Sequence, residues 1–377
     1  MKIGIMTFWE SNNNYGQILQ LFALQKYLMK LGAEPYVIRF RRIAPKKKMT
    51  FFGKLIRFNP VSQYRQRKRA VYAKNFSQLD ATRRFEEFKN DHIVFSEEVY
   101  FSLDDLKNNP PAADIYITGS DQVWNNSFRV SAEPFLLNFG DSTVRRIAYA
   151  ASFGHKNLDS KSEQLFKRNI NKFDAISVRE RSGLDICKTL EVERAEWVLD
   201  PTFLFTQQNW IELLDLESLG ESTLQKNIFI YVLGNSEISD KAAFINYAHS
   251  LKGFNILHAS ANNDRSGKLF PTIPEWVNLI RQSKFVITTS FHGVVFCIIN
   301  NTNFVVLPNT GKAEGMNERI ESLLSLLGLE DHMMSSFNKA RLDTIVNKQI
   351  DWETINGSVD HYRKQSKDFL KKAVGVE

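Results

Sequence analysis

The feature that most constrains the fold is an alternation between short β-branched runs and longer segments whose apolar residues recur at helical spacing. Lys2–Phe8 has the composition of a strand, and Ile18–Leu31 follows with leucines on one helical face. Parallel sheets are built this way, because each helix carries the chain back to the edge where the next strand begins. The alternation restarts after Asp200 and Pro201, since proline cannot continue a central strand. The sequence therefore predicts an α/β protein with two facing doubly wound, Rossmann-like domains and a C-terminal helix.

The pattern assigns a definite span to each element. The predicted strands are Lys2–Phe8, Glu34–Arg39, Asp114–Thr118, Arg146–Ser152, Ala175–Val178, Trp197–Leu199, Asn227–Leu233, Asn255–Ala259, Phe285–Thr289 and Asn303–Leu307. The predicted helices are Ile18–Leu31, Ala81–Asn90, Lys161–Phe173, Asp240–Leu251, Pro274–Gln282, Gly293–Asn300, Met316–Leu327 and Val359–Ala373. We expect domains at 1–200 and 201–345, followed by a helical tail, 346–377, that could pack back on the first domain.

Positive charge is concentrated in one segment. The net charge is +7, yet residues 35–78 hold thirteen Lys or Arg and no acid, with phenylalanines between the cations. One interpretation is a solvated surface insertion. Another is docking on an anionic membrane, where each basic residue adds about 1 kcal/mol of attraction. Nucleic acid ranks last, because no nucleic-acid-binding module is visible elsewhere, and we expect no nucleic acid partner.

The remaining bulk features favour a cytoplasmic protein. No run of 18 uncharged apolar residues exists, and the N-terminus lacks the apolar core and cleavage site of a signal peptide. Cys187 and Cys297 are the only cysteines, and each lies in an apolar pattern. Buried free thiols in a reducing compartment fit this usage. We expect a cytoplasmic location, with peripheral attachment to the inner face of the membrane if the basic segment docks there.

Polar loops follow the first and third predicted strands. In NNNYGQ, Asn14, Gly16 and Gln17 lie before a helix N-terminus, which attracts anions, although no GxGxxG fingerprint is present. A plain connecting loop is the alternative. The loop GSDQVWN combines hydrogen-bonding groups with an indole, as sugar sites do; its candidates are Ser120, Asp121, Gln122, Trp124 and Asn125. Asp121 could act as a general base or could cap an Asx turn.

Three further strand ends carry residues suited to chemistry. Arg179, in SVRERSG, could hold a carboxylate or phosphate with two hydrogen bonds, or it could pair with an acid such as Glu180. His292, in ITTSFHGVV, follows three hydroxyl residues and precedes a glycine at a strand-to-helix turn. An imidazole there can serve as a general acid, although a lone histidine is more often structural. His155, after ASFG, has a similar position with a weaker context.

Six blocks occur in one order: NYGQILQLFALQKYL, DIYITGSDQVWN, AASFG, SVRERSG, VLDPTFL and ITTSFHGVVFCIINNTNFVV. Together they resemble the polysaccharide pyruvyl transferase family and extend from about residue 1 to residue 327. The basic segment is not part of this pattern. The resemblance implies a fold like the glycosyltransferase-B type, with acceptor bound on the first domain and donor on the second. It also implies phosphoenolpyruvate as the donor, with no other cofactor.

The acceptor implied by the resemblance is a sugar of a surface polysaccharide or of a precursor, such as an undecaprenyl-linked oligosaccharide. The product would be a pyruvate ketal. Family members associate a C-terminal histidine and an arginine of a VRE-like block with the donor, and these match His292 and Arg179. Some members carry an arginine where this chain has Ser290. Donor-binding groups would then come from the strand end and the segments after it: Thr289, Ser290, Gly293, Lys312 and Arg319.

These residues suggest a mechanism and leave rivals open. His292 would protonate the donor methylene or the departing phosphate, and Asp121 would be the base, with His155 as the alternative. Asn14, Gly16, Gln17 and the GSDQVWN loop (Ser120, Gln122, Trp124 and Asn125) would face the acceptor. No acidic metal cluster is visible, and we expect no metal. The nearest rival is a nucleotide-sugar-dependent glycosyltransferase of the same fold; a sugar-binding protein without catalysis is another.

Overall fold

The computed structural model describes residues 1–11, 13–41, 76–126, 131–220, 226–233, 240–261 and 266–376. Its strands are β1 (Lys2–Met6), β2 (Glu34–Phe40), β3 (Phe95–Tyr100), β4 (Ile115–Thr118), β5 (Arg145–Ala151), β6 (Ala175–Val178), β7 (Glu196–Trp197), β8 (Asn227–Tyr231), β9 (Asn255–His258), β10 (Phe285–Thr288) and β11 (Asn303–Val306). Its helices include α1 (Tyr15–Lys30), α2 (Phe85–His92), α3 (Leu103–Asn108), α4 (Ser160–Asn169), α5 (Arg181–Thr189), α6 (Gln207–Leu213), α7 (Lys241–Ser250), α8 (Ile273–Arg281), α9 (Phe291–Ile299), α10 (Glu318–Leu327), α11 (Lys339–Asn347) and α12 (Trp352–Val374).

Two parallel sheets organise these elements. The first has seven strands in the order β3-β2-β1-β4-β5-β6-β7, and the second has four in the order β11-β10-β8-β9. Every residue of β4 and of β10 is buried, as expected for parallel strands covered on both faces. The predicted α/β architecture with parallel sheets is confirmed. The strand order reverses between β1 and β4 and between β8 and β10, and ligands of such sheets bind at these reversals.

Aromatic packing joins the two sheets. The Tyr15 ring, at the start of α1, stacks on Trp276 of α8 with centroids 5.0 Å apart. Its hydroxyl donates to Pro271 O at 2.6 Å. One core cluster of buried residues includes both rings and continues through α1 and α9. The helices α1 and α9, which follow two of the polar loops, therefore pack into one shared apolar core.

The C-terminal helix packs against the first sheet. Ser366 Oγ accepts a hydrogen bond from Leu199 N at 2.9 Å, and Arg145 at the start of β5 donates to Ala373 O at 2.6 Å. The helix begins at Trp352, seven residues before the predicted Val359, because Asp351 caps its first turn by accepting from Thr354 N. An interrupted apolar pattern, rather than a break in the helix, hid this first part.

Several other boundaries differ from the prediction. β3 was not predicted because FSEEVY places two exposed glutamates in an edge strand. The helices α3, α5, α6 and α11 were also not predicted. The predicted helix Ala81–Asn90 instead begins at Phe85, since Arg84 adopts a left-handed φ of 55°. Cys187 and Cys297 are buried free thiols, as predicted.

The predicted basic insertion needs a correction at its start. Residues 35–40 belong to β2, which is mostly buried and pairs with β1 on one side and β3 on the other. Residues 42–75, with most of the cations, lie outside the described residues. Within the described ranges, no helix is both long and apolar enough to cross a bilayer. The same ranges contain no cluster of three or more His, Cys, Asp or Glu residues suited to a metal ion.

Candidate active site

Four helices begin around one site at the carboxyl ends of the strands. Gly16, His292 and Arg319 are the second residues of α1, α9 and α10, and Arg179 lies just before α5. Contacts among their side chains, described below, show that these helix ends converge. A helix N-terminus carries a partial positive charge, and side-chain caps satisfy part of its N–H groups here, Asn14 in α1 and Ser290 in α9. The backbone alone therefore favours a negatively charged ligand at this point.

Arg179 is held by two carboxylates. Its Nη1 lies 2.7 Å from Asp200 Oδ2, and its Nη2 lies 3.3 Å from Asp121 Oδ1. Burial by itself would raise the pKa of Asp121, but the charges of Arg179, Arg319 and His292 outweigh it and hold that pKa below its ordinary value. Burial likewise opposes ionisation of Asp200, yet His292 and Arg179 hold its pKa far below the usual range. Both carboxylates are therefore ionised around a cation that is 1% exposed.

His292 is packed between Asp200 and the first turn of α1. Its Nε2 lies 3.3 Å from Asp200 Oδ2, without the alignment of a hydrogen bond, so the contact is electrostatic. On the other side, a Cβ added to Gly16 would lie 2.1 Å from His292 Nδ1. Only glycine leaves room for the imidazole here. Gly16, predicted on the acceptor side, and His292, predicted as catalytic, are thus brought together across 276 residues of chain.

A second arginine faces the same space from α10. The guanidinium carbons of Arg179 and Arg319 lie 4.8 Å and 5.4 Å from the centroid of the Phe291 ring. In the described ranges, the one carboxylate within 4.0 Å of Arg319 is that of Asp121, through Oδ1. Burial and the charge of Arg179 lower the pKa of Arg319 to about 10. Among the described residues, the buried Nε atoms of both arginines have no hydrogen-bond partner.

Glu180 lies beside the arginines but binds elsewhere. Its Oε1 accepts from Phe153 N at 2.8 Å and Gly154 N at 3.3 Å, in the loop after β5. Burial raises the pKa of Glu180, although Arg179 and Arg319 act in the opposite direction. The alternative that Arg179 pairs with Glu180 therefore gives way to pairing with Asp121 and Asp200.

A polar cluster lies at the ends of β4 and β5. Asn125 donates to Gln122 Oε1 at 2.8 Å, and its Oδ1 lies 3.1 Å from His155 Nε2. A side chain at Gly154 would meet Gln122 Oε1 at 2.4 Å. Burial lowers the pKa of His155, so its neutral form is favoured. A neutral imidazole that donates from Nε2 to Asn125 keeps a free lone pair on Nδ1.

Gln17 connects α1 to the loop after β4, since its Nε2 lies 3.4 Å from Asp121 Oδ2. Ser120 is fully buried, and its Oγ lies 2.9 Å from Ala150 O and 3.3 Å from Asp200 Oδ2. Of the predicted acceptor residues, Gln17 and Ser120 therefore contact the charged groups of the site. Asn14 caps α1 by accepting from Gln17 N.

Trp124 requires a correction. It was expected to offer an indole face to a sugar, but the residue has no exposed surface and packs among Phe153, Phe166 and Phe173. Its Nε1 donates to Phe135 O at 3.3 Å. The polar residues around it in sequence suggested a binding surface, whereas the apolar residues that bury it are distant in sequence. Trp124 supports the loop from below.

Three residues near His292 have local structural partners. Thr289 Oγ1 accepts from Leu233 N at 2.8 Å, and Ser290 Oγ caps α9 by accepting from Gly293 N at 3.2 Å. A Cβ at Gly293 would lie 2.5 Å from Thr288 Oγ1, so the glycine allows the tight turn into α9. The side chain of Lys312 lies outside the described residues. A donor role for Thr289, Ser290, Gly293 and Lys312 stays a prediction.

Two residues of the site were not predicted from the sequence. Asp200 was used only as a domain boundary, and Phe291 was passed over between Ser290 and His292. The signal for Asp200 was its place in VLDPTFL, a strand end like those of the other candidates. No comparable signal marked Phe291, because a phenylalanine at the start of a helix is ordinarily core.

Comparisons with known proteins agree with this architecture. The MnaA protein of S. aureus, in a structure with UDP, is similar over 100% of this chain and 98% of its own, with 11% identity and a TM-score of 0.52. A Listeria monocytogenes protein described as a UDP-N-acetylglucosamine 2-epimerase covers 99% of this chain and 95% of its own, with 11% identity and a TM-score of 0.50. At such identity the likeness shows the fold alone, which is of the glycosyltransferase-B type.

Sequence comparison identifies the family. No curated protein matches this sequence significantly. A sequence model of the family described as polysaccharide pyruvyl transferase matches residues 14–311, a range that contains strands β2 to β11 and most of the site described above. The chain therefore belongs to the polysaccharide pyruvyl transferase family of transferases.

Proposed function

We propose that the protein transfers the pyruvyl group of phosphoenolpyruvate to a sugar of a surface polysaccharide or its lipid-linked precursor. The product is a pyruvate ketal that bridges two sugar hydroxyls, and phosphate is released. One observation carries the proposal: two buried guanidiniums, Arg179 and Arg319, lie against Phe291 with unpartnered Nε atoms among the described residues. Phosphoenolpyruvate has a carboxylate and a phosphate, two anions that such a pair would bind.

Electrostatics supports an anionic donor. A buried arginine that has no close carboxylate is costly, and in the described part of the chain the nearest carboxylate to Arg319 is Asp121, at 4.0 Å. An anion placed beside it would replace the missing partner and would form charge-assisted hydrogen bonds with both guanidiniums. The converging helix N-termini would add to this attraction. A neutral donor would leave the cost of burying Arg319 uncompensated.

The residue types suit the bond changes that the reaction requires. His292 gives a proton to the methylene carbon of the donor, which makes the adjacent carbon electrophilic. One sugar hydroxyl adds to that carbon and gives up its proton to a base. The carbon–oxygen bond to phosphate then breaks, and the second hydroxyl closes the ring as its proton leaves. Of the two hydroxyl protons, one replaces the proton taken from His292 and the other leaves with phosphate.

The base is either Asp121 or His155. Asp121 is ionised, but its oxygens accept from Gln17, Gln122 N and Arg179, and its lowered pKa makes it a weak base. His155 is half-buried, and the neutral form that burial favours can take a proton at Nδ1. The Gln122–Asn125–His155 cluster offers the mixed donors and acceptors that sugar hydroxyls need. We assign this cluster to the acceptor.

The test is acceptor-dependent release of phosphate. The protein is incubated with phosphoenolpyruvate and a panel of sugars and lipid-linked oligosaccharides, and products are analysed by mass spectrometry. We expect a mass gain of one pyruvate less one water on the acceptor that drives phosphate release. Parallel incubations contain UDP-sugars in place of phosphoenolpyruvate. Transfer of a whole sugar from UDP, without any reaction of phosphoenolpyruvate, would establish the glycosyltransferase instead.

A lipid-linked acceptor would explain the basic segment. Residues 42–75 of the basic segment stay a predicted docking site for anionic membranes. Sedimentation with vesicles that contain anionic lipid, at low and high salt, tests this prediction. We expect binding at low salt that is lost when Lys46, Lys47 and Lys48 are replaced, because surface attraction is screened by salt. Absence of binding at any salt concentration would contradict it.

A further inference from the structure

Asp200 is the most connected acid of the site. It ends the VLD stretch after β7, and 1% of the residue is exposed. Its carboxylate lies within 3.3 Å of groups from the loop after β4, the loop after β6 and helix α9. No other described carboxylate contacts both Arg179 and His292 at this distance.

The two carboxylate oxygens divide the contacts. Oδ1 accepts from Thr202 N at 3.1 Å and Thr202 Oγ1 at 2.7 Å, which fixes the carboxylate plane. Oδ2 faces Arg179 Nη1 at 2.7 Å, His292 Nε2 at 3.3 Å and Ser120 Oγ at 3.3 Å. One oxygen is therefore anchored to the chain, and the other is shared by the two groups that we assign to the donor.

The contacts of Asp200 allow donor binding by the arginines to be distinguished from proton delivery by His292. Arg179 keeps a second carboxylate, Asp121, and the site keeps Arg319 as a second cation. The described acids that interact with His292 are Asp200, at 3.3 Å, and Asp121; both acids also interact with the cations Arg179 and Arg319. Removal of the Asp200 charge thus leaves the anion site with both guanidiniums, but it takes away the carboxylate that lies closest to His292.

We propose that Asp200 is a positioning residue that stabilises the proton-bearing form of His292 and fixes that ring relative to Arg179. The inference rests on the proposed function, since it takes His292 as the proton donor. It assigns the VLDPTF segment a role in turnover rather than in donor affinity. A carboxylate that only closed a turn at Pro201 would have no such selectivity.

Two variants separate the charge from the packing of the turn. Asp200→Asn keeps the volume and removes the charge. Thr202→Val keeps the charge and removes the hydroxyl hydrogen bond to Oδ1. For Asp200→Asn we expect kcat to fall by about 10²-fold or more, the scale of general-acid catalysis, while the Kd for phosphoenolpyruvate from calorimetry stays within about threefold. For Thr202→Val we expect a loss in kcat of less than about tenfold.

A measurement without substrate completes the test. In protein with ¹⁵N-labelled histidine, NMR reports the imidazolium fraction of His292 at neutral pH, with His292→Gln used for assignment. We expect that fraction to fall in Asp200→Asn and to be unchanged in Thr202→Val, because loss of a nearby negative charge disfavours a cation. Equal turnover losses in both variants, or an unchanged imidazolium fraction in Asp200→Asn, would overturn the inference. A wild-type protein that does not consume phosphoenolpyruvate refutes the proposed function, and the NMR result still decides the role of Asp200.

Discussion

Gly16→Ala tests the contact between α1 and the imidazole. The added methyl would lie 2.1 Å from His292 Nδ1, 2.2 Å from Cγ and 2.5 Å from Cβ. Ordinary contact begins near 3.4 Å, so the ring or the helix must withdraw by more than 1 Å. Overpacking of this kind costs about 1–3 kcal/mol, against a helix-propensity gain of about 0.5–1 kcal/mol for replacing glycine. We therefore expect a net loss of about 1–2 kcal/mol in the free energy of unfolding.

Turnover should suffer more than stability. A displacement of about 1 Å in a catalytic group can lower the rate by about 10²-fold. We expect kcat, measured by phosphate release, to fall by that order, while the Kd for phosphoenolpyruvate changes little because both arginines stay in place. Urea unfolding gives the stability, and calorimetry gives the affinity.

Gly357→Ala is the matched control. Gly357 lies inside α12, and an added Cβ would meet no atom within 4 Å. The same substitution should therefore stabilise the protein by about 0.5–1 kcal/mol and leave kcat unchanged. If the two variants shift the free energy of unfolding equally, or if Gly16→Ala retains full turnover, the proposed packing of His292 against α1 is wrong.

Three further substitutions test the site. Arg319→Met should raise the free energy of unfolding at pH 7 by about 1–3 kcal/mol, since it removes a buried cation whose pKa burial lowers to about 10, and should weaken phosphoenolpyruvate binding more than tenfold by calorimetry. Glu180→Gln should stabilise the protein at pH 8 but not at pH 4. Burial raises the pKa of Glu180 above 4.5, so the folded state holds a proton that the unfolded state releases, and the stability of the wild-type protein falls as pH rises through this window. Equal effects at both pH values would contradict this. Trp124→Phe should leave the acceptor KM unchanged while urea unfolding shows a loss in stability, because the indole is core; a raised KM at unchanged stability would restore it as a sugar-binding residue.

The strand-to-helix alternation located the site better than it located the elements. Parallel strands share one edge, so residues after β1, β4, β6 and β10 meet wherever the exact boundaries fall. His292 and Gly16 could be predicted for this reason alone. β3 escaped because an exposed edge strand has no continuous apolar run. The type of each central strand therefore followed from periodicity, whereas the edge strand β3 and the helix α5 beside the site did not.

Side-chain partners could not be read from the sequence. The contacts of Asp200 span 21 residues to Arg179 and 80 to Ser120, and only the sheet order brings them together. Trp124 shows the converse, since its polar neighbours in sequence disguised a buried ring. A strand-end position predicts that a residue lies near the site, but not whether its side chain points into the site or into the core.

Ser290 stands where the family resemblance implies an arginine in some members, and Arg319 supplies a guanidinium to the site from another helix. Ser290 accepts a hydrogen bond from Gly293 N and so caps α9, a role that an arginine side chain, which has no acceptor, cannot perform. Arg319 instead brings a guanidinium to the Phe291 ring from the first turn of α10. The cap orients the helix that carries His292, and the cation comes from a separate helix. The two functions are thus divided between two elements, and under the proposed function Arg319→Met should impair donor binding, whereas loss of the cap in Ser290→Ala should mainly impair turnover.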